Sequence, residues 1–503
     1  MVSVKHIPFT IIFLIFSFFW TSKIFFEVES DFWQYIVGAY YLDGSSILYT
    51  DHWDNKGPFF YFYVKSILNF LGGKFFAIIS LILISLIIYI IPFIFILKKI
   101  KKNFYIQTLF FFIFLALLYS QGYHSIPFLL SSTLKFYFLI FAYESFLKNN
   151  NFIKNFSITL VFFWLSFFTL VDTILFFPII LLILLKYFFN NKANRDIIKI
   201  FSIFFLIPFS FYTILKFNFN YDFSSFFNSN FIFNSWATEN YYGKYFTSYK
   251  INLNKFELFS NLLRSGILIL FLIFFIQRLN NLKQYLKYLS LSKISKLIKH
   301  EMLFVDLVII INIILFLILR VDKSVYVFLF FPSMLFLVFN SFNRFKIKTD
   351  KVFIITIILI SGFTIFIEMG KNISKVAKNI NCISASFCKS SEYQKFEIII
   401  NNRKENQEIL IVGKGTGYPN YFFDSKPNYS IINEWLYFDE NYINKAFLSF
   451  HKNLLNKSKG FRFWIDEEVL NLYGIQRNTF LNEILNNSRL LIKSEHYSMY
   501  EIK

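Results

Sequence analysis

The sequence predicts a polytopic α-helical membrane protein carrying a small α/β domain at its C-terminal end. Three observations predict it. The composition is 56% hydrophobic and 23% aromatic, with 76 Phe in 503 residues, far beyond what a water-soluble domain carries. Apolar runs near the length of a bilayer crossing recur from residue 7 to residue 369. After about residue 370 the chain turns polar and mixed.

A crossing helix needs ~20 apolar residues, and on that basis the chain holds about eleven. They fall near 7–26, 74–97, 104–120, 126–147, 155–171, 173–190, 198–216, 257–277, 302–319, 325–341 and 352–369. MVSVKH followed by the apolar stretch Ile7 to Trp20 lacks a small-residue cleavage site and reads as a retained first helix.

The formal net charge is +20. In a soluble protein that excess would suggest nucleic acid, but here the basic residues cluster between apolar runs, where they set orientation instead. The segments 98–103, 148–154, 186–199, 278–301 and 342–351 hold 20 Lys and Arg against three acids, Asp196, Glu301 and Asp350. With eleven crossings all five segments fall on the side of the N-terminus, and one crossing more or fewer would scatter them over both faces. The opposite, outer face then receives 27–73, 120–125, 217–256, the RVDKS turn at 320–324 and the tail.

The division that follows is a membrane part, 1–369, with 27–73 as its first outer loop, and an extracytoplasmic α/β domain, 370–503. In the tail, EILIVG at 408–413 and FRFWID at 461–466 read as strands, and NTFLNEILNN at 478–487 reads as a helix. RLLIK and YSMYEIK read as a closing pair of strands. GKGTG at 413–417 lacks the Lys-Ser/Thr ending of a phosphate loop and reads as a turn leaving a strand. Cys382 and Cys388 are compatible with a disulfide and equally with two free thiols.

The first outer loop carries six acids, Glu27, Glu29, Asp31, Asp43, Asp51 and Asp54. Flanking them, Phe32 to Leu42 and Phe59 to Leu71 are too short to cross and rich in aromatics, so they are expected to be helices at the membrane interface. Acids and Lys56 then sit at the level of lipid head groups. A carboxylate and an ammonium held there suit chemistry on a lipid phosphate.

Asp31-Phe-Trp-Gln-Tyr35, Gly44, Tyr49-Thr-Asp51 and Asp54-Asn-Lys56-Gly-Pro58, in that order after a first helix, resemble the first outer loop of the GT-C membrane glycosyltransferases. The pattern is similar to the bacterial branch of aminoarabinose transferases and protein O-mannosyltransferases, with its D-x-x-x-Y and D-x-K-[GP]-P signatures. The resemblance implies transfer of a sugar from a polyprenyl-phosphate donor to a lipid, glycan or protein acceptor on the outer face of a bacterial inner membrane, with membrane lipid as surroundings and no nucleic acid as partner. By position it implies that Asp31 is the catalytic acid, serving as general base or orienting the acceptor hydroxyl. Lys56 would meet the donor phosphate, and Tyr35, Asp51 and Asp54 would contact substrate. Many relatives carry Glu where Phe32 stands, and a second acid near the third and fourth helices, where this chain offers only Gln121, His124 and Thr133-Leu-Lys135. Divalent-metal dependence therefore stays open, and no other cofactor is implied.

The chemistry of the residues agrees with this assignment. Glycosyl transfer needs an acceptor proton removed and a phosphate leaving group stabilised, tasks for a carboxylate and a cation. Arg320 and Lys323, in an outer turn, are further candidates for the donor phosphate, and Glu239 is one for the substrate. Lys135 inside the fourth crossing is either functional or paired with another buried group. Asp172 reads as a cap between the fifth and sixth crossings. His124 stands without the companions a zinc site needs. The competing class is a transporter of lipid-linked sugars or another secondary transporter, although no repeated halves are visible. A third is a membrane-anchored binding protein working through 370–503.

Overall fold

The structure, a computed structural model, describes residues 7–23, 30–41, 48, 56–71, 74–99, 104–119, 125–147, 151–190, 195–221, 223–232, 260, 262–264, 266–279, 301–318, 327–343, 351–378, 396–402, 411–412, 460–467 and 479–503. The described chain is mostly helical. Helices stand at each of the predicted apolar runs: α1 (Ile7–Ser22), α4 (Lys74–Lys99), α5 (Phe104–Tyr119), α6 (Ile126–Leu147), α7 (Phe152–Phe167), α8 (Phe177–Asn190), α9 (Arg195–Phe219), α11 (Ile267–Leu279), α12 (Glu301–Ile318), α13 (Val327–Asn343) and α14 (Lys351–Lys378). The short α2 (Ser30–Tyr41) and α3 (Pro58–Phe70) lie between α1 and α4, and α10 is Phe223–Phe227.

Among the described residues, five segments are long and apolar enough to cross a bilayer: Phe76–Ile96, Ile126–Leu147, Val171–Phe189, Ile198–Phe219 and Ile354–Ser374. Other apolar helices are shorter than a crossing. The 16 residues of α7 rise only ~24 Å against the ~30 Å of a hydrocarbon core. The run 257–277 is interrupted at Gly266, whose φ is +78° and where a side chain would meet Ile357 Cγ2 at 2.3 Å. Only glycine is comfortable there, so α11 starts after it.

Helix ends that border the basic segments pack on one another. Phe9, Phe93 and Phe104 meet there from α1, α4 and α5, Phe152 stacks on Tyr187, and Phe146 packs on Phe304. Lys186 donates to the Phe146 carbonyl, capping the end of α6. The helices α6 and α13 form the middle of the bundle: 89% of the apolar window of α6 is buried, and every residue from Phe328 to Asn340 is buried. In contrast, α9 and α14 expose Phe205, Phe209, Phe217, Leu359, Phe363 and Phe366, as helices bordered by lipid do.

In the tail, β1 (Ile411–Val412), β2 (Arg462–Asp466), β3 (Ser488–Lys493) and β4 (Tyr497–Ile502) form one sheet in the order β1-β2-β4-β3. The first pair is parallel and the others antiparallel. The helices α15 (Glu397–Asn401) and α16 (Thr479–Asn486) accompany it, with Phe396 stacked on Tyr497. Register places Arg462 and Arg489 on either side of Glu501, and both guanidinium groups bond its carboxylate. These pairs hold the Glu501 carboxyl below the usual range, Arg489 first and Arg462 second. GKGTG, Cys382 and Cys388 lie outside the described residues.

Candidate functional site

The stretch Lys56-Gly57-Pro58 is built onto the C-terminal end of α7. Pro58 opens α3, where a missing N–H costs nothing. Gly57 precedes it in an extended conformation and lies against the turn that follows α7. Its N–H donates to Thr169 O at 3.0 Å, and Phe59 N–H donates to Phe168 O at 2.9 Å. A Cβ on Gly57 would fall 1.9 Å from Phe168 O and 2.3 Å from Phe168 C. The glycine is therefore required by contact with another backbone, since its own φ of −71° suits any residue.

This docking fixes Lys56. Its Nζ lies 5.5 Å from the centroid of the Tyr35 ring, within cation–π reach and worth ~0.5–1 kcal/mol where partly solvated. Tyr35 is 3% exposed and meets Phe60 edge-on at 5.1 Å, so the platform under the ammonium is rigid. Position 31 is the second residue of α2 and precedes Tyr35 by four, about one helical turn. The helix N-terminus also favours an acid at that position.

The loop has two further anchors. Leu48 N–H donates to Phe219 O at 3.2 Å, and Tyr63 Oη lies 2.9 Å from Ser85 Oγ. Burial pushes the Tyr63 phenol up to about 12. The helix α2 is enclosed by protein. Phe32, Trp33, Ile36, Val37 and Ala39 are all at most 1% exposed, so α2 is packed inside protein, against α3 above all.

Of the predicted site residues, Tyr35 and Lys56 are thus brought together, with Asp31 one helical turn from Tyr35. Asp51, Asp54, Glu239, Arg320 and Lys323 lie outside the described residues, as do Gln121 and His124. Lys135 and Asp172, weighed separately in the sequence, form one ion pair. Lys135 is wholly buried in the middle of α6, and the Asp172 side chain is 15% exposed in the 3-10 turn Val171–Phe176 that leads into α8. Around them Ser131 Oγ lies 3.2 Å from Ser166 Oγ, and Ser166 Oγ lies 2.9 Å from Thr173 Oγ1. Asp172 is more than a cap. One acid and one base, each alone in an apolar run of neighbouring helices, were the signal for this pairing.

Among the described residues no group of three or more His, Cys, Asp or Glu comes together as a metal site. No protein-family model matches the chain, and no curated protein matches it.

Proposed function

We propose that the protein is a glycosyltransferase of the GT-C type, moving a sugar from a polyprenyl-phosphate donor to a lipid, glycan or protein acceptor at the extracytoplasmic membrane surface. The observation that carries the reading is the placement of Lys56 over Tyr35, one helical turn after Asp31, by a loop whose glycine tolerates no side chain. In this reading the chain crosses a bacterial inner membrane about eleven times, with the basic segments cytoplasmic and residues 370–503 outside.

The reaction follows from those groups. Asp31 accepts the proton of the acceptor hydroxyl, the hydroxyl oxygen bonds to the anomeric carbon, and the bond from that carbon to the phosphate oxygen breaks. The leaving polyprenyl phosphate gains charge-assisted hydrogen bonds from Lys56. A single carboxylate in this role implies direct displacement with inversion.

Cells with and without the protein, compared by mass spectrometry of their surface glycans, supply the acceptor. Asp31→Asn should then abolish transfer while expression and thermal stability stay at the wild-type level. A fully active Asp31→Asn protein removes the acid from the mechanism. The buried Lys135–Asp172 pair favours a second reading, a transporter of lipid-linked sugars, because ionisable groups inside crossings often mark transport paths. Reconstituted protein that moves the lipid-linked sugar across a bilayer without forming a glycosidic bond would establish that reading instead.

A further inference from the structure

We infer that Lys135 and Asp172 are positioning residues for Lys56, acting through the turn 168–170; the inference rests on the reading of Lys56 as the donor-phosphate cation. The turn is the seat on which the loop is mounted, since Gly57 N–H bonds Thr169 O and Phe59 N–H bonds Phe168 O. With Phe168 O only 1.9 Å from where a Gly57 Cβ would stand, there is no slack between the two backbones. Any displacement of the turn therefore carries Lys56 with it.

What fixes the turn is α6. Ser166, at the end of α7, bonds the Ser131 carbonyl at 3.4 Å and lies 2.9 Å from the Thr173 hydroxyl, closing the turn across its base. These contacts are neutral. The Asp172 carboxylate, three residues after Thr169 and so within ~11 Å of it along the chain, adds a charge-assisted bond to α6, from Lys135. Charge-assisted bonds are about twice as strong as neutral ones and directional. The donor sits on α6, one of the two helices that form the middle of the bundle, with no exposed surface of its own. A buried pair of this kind contributes little net stability compared with apolar residues of the same volume, but it fixes one geometry. On its remaining side the turn packs through Phe168 against Trp164, Phe167 and Phe226, contacts that carry no charge.

The test uses the full chain in lipid nanodiscs, with farnesyl phosphate as the probe and farnesol as its uncharged control. Three quantities are read: the rate of Lys56 acetylation by acetic anhydride, followed by peptide mass spectrometry; the farnesyl phosphate Kd; and the thermal midpoint. The double variant Lys135→Met/Asp172→Leu is expected to melt near the wild type, to change the Lys56 acetylation rate several-fold, and to weaken farnesyl phosphate binding about tenfold, the loss of one charge-assisted bond. Asp172→Glu, which keeps the carboxylate, should recover most of the binding. A folded double variant with wild-type Lys56 reactivity overturns the proposal. Should that variant not fold, Asp172→Asn replaces it under the same criterion. Failure of both to fold also overturns it, because the pair would then hold the bundle and not the loop. If Lys56 reactivity responds to the pair but wild-type protein does not prefer farnesyl phosphate to farnesol, the positioning stands and the donor-phosphate reading fails.

Discussion

Gly57→Ala tests the joint on which the site depends. Alanine is conformationally at ease at φ −71°, ψ 156°, and a glycine replaced without strain gains ~0.4–1 kcal/mol through the unfolded chain. Here the added methyl would meet Phe168 O at 1.9 Å, Phe168 C at 2.3 Å and Thr169 N at 2.9 Å, all backbone atoms with no rotamer to change. The loop must lift away, losing the bonds from Gly57 and Phe59 at ~1 kcal/mol each. Residual crowding adds ~1–3 kcal/mol. After the entropic gain the net penalty is ~2–5 kcal/mol. It falls on the loop, which can open without unfolding the bundle. Hydrogen–deuterium exchange read on peptides covering 56–64 should therefore accelerate about a hundredfold, with the helices of the bundle unchanged. Gly370→Ala is the internal control, because no atom lies within 4 Å of its added methyl. Equal protection of 56–64 in Gly57→Ala and wild type would refute the idea that this glycine is selected by backbone contact.

Other consequences can be measured on the same preparations. Asp172→Leu leaves Lys135 buried without a partner and should cost ~3–5 kcal/mol, whereas the double variant Lys135→Met/Asp172→Leu should recover most of it; a double-mutant cycle by thermal melting gives the coupling. With the phenol of Tyr63 pushed up to about 12, the unfolded chain ionises at pH ~10 while the folded one keeps its proton. Stability therefore falls between those two values, and Tyr63→Phe should flatten that alkaline limb of the melting curve. Glu501, held below its ordinary value by Arg489 and Arg462, contributes stability that is present above the unfolded carboxylate range and lost as pH falls through the folded value. Glu501→Gln should level the acid dependence of pepsin cleavage within 460–503; an unchanged acid limb would mean the two arginines do not matter to the sheet.

Much of the fold was legible in the sequence because it is carried by local pattern. A stretch such as Ile126–Leu147 has one comfortable arrangement when no water can satisfy its backbone, so helix positions follow from composition. The tail was readable for the opposite reason, its alternation and turns marking β2, α16, β3 and β4 nearly to the residue. The polar stretch ending in Lys56-Gly57-Pro58 could be singled out as a site because charge beside apolar runs is costly and conspicuous.

By itself, then, the sequence determined which segments are helical, which are strands, and which side chains are chemically out of place in an apolar chain. Only the tertiary structure decided what those side chains face. Local pattern does not encode that Gly57 meets the backbone of Phe168, that Lys56 rests over Tyr35, or that Lys135 and Asp172 are partners. Nor does it encode the close approach of Gly266 to Ile357 on another helix. These contacts join positions between 20 and more than 100 residues apart, and they exist because helices of similar apolarity must choose among neighbours. Hydrophobicity is non-directional and leaves that choice open; close packing and the pairing of buried polar groups make it.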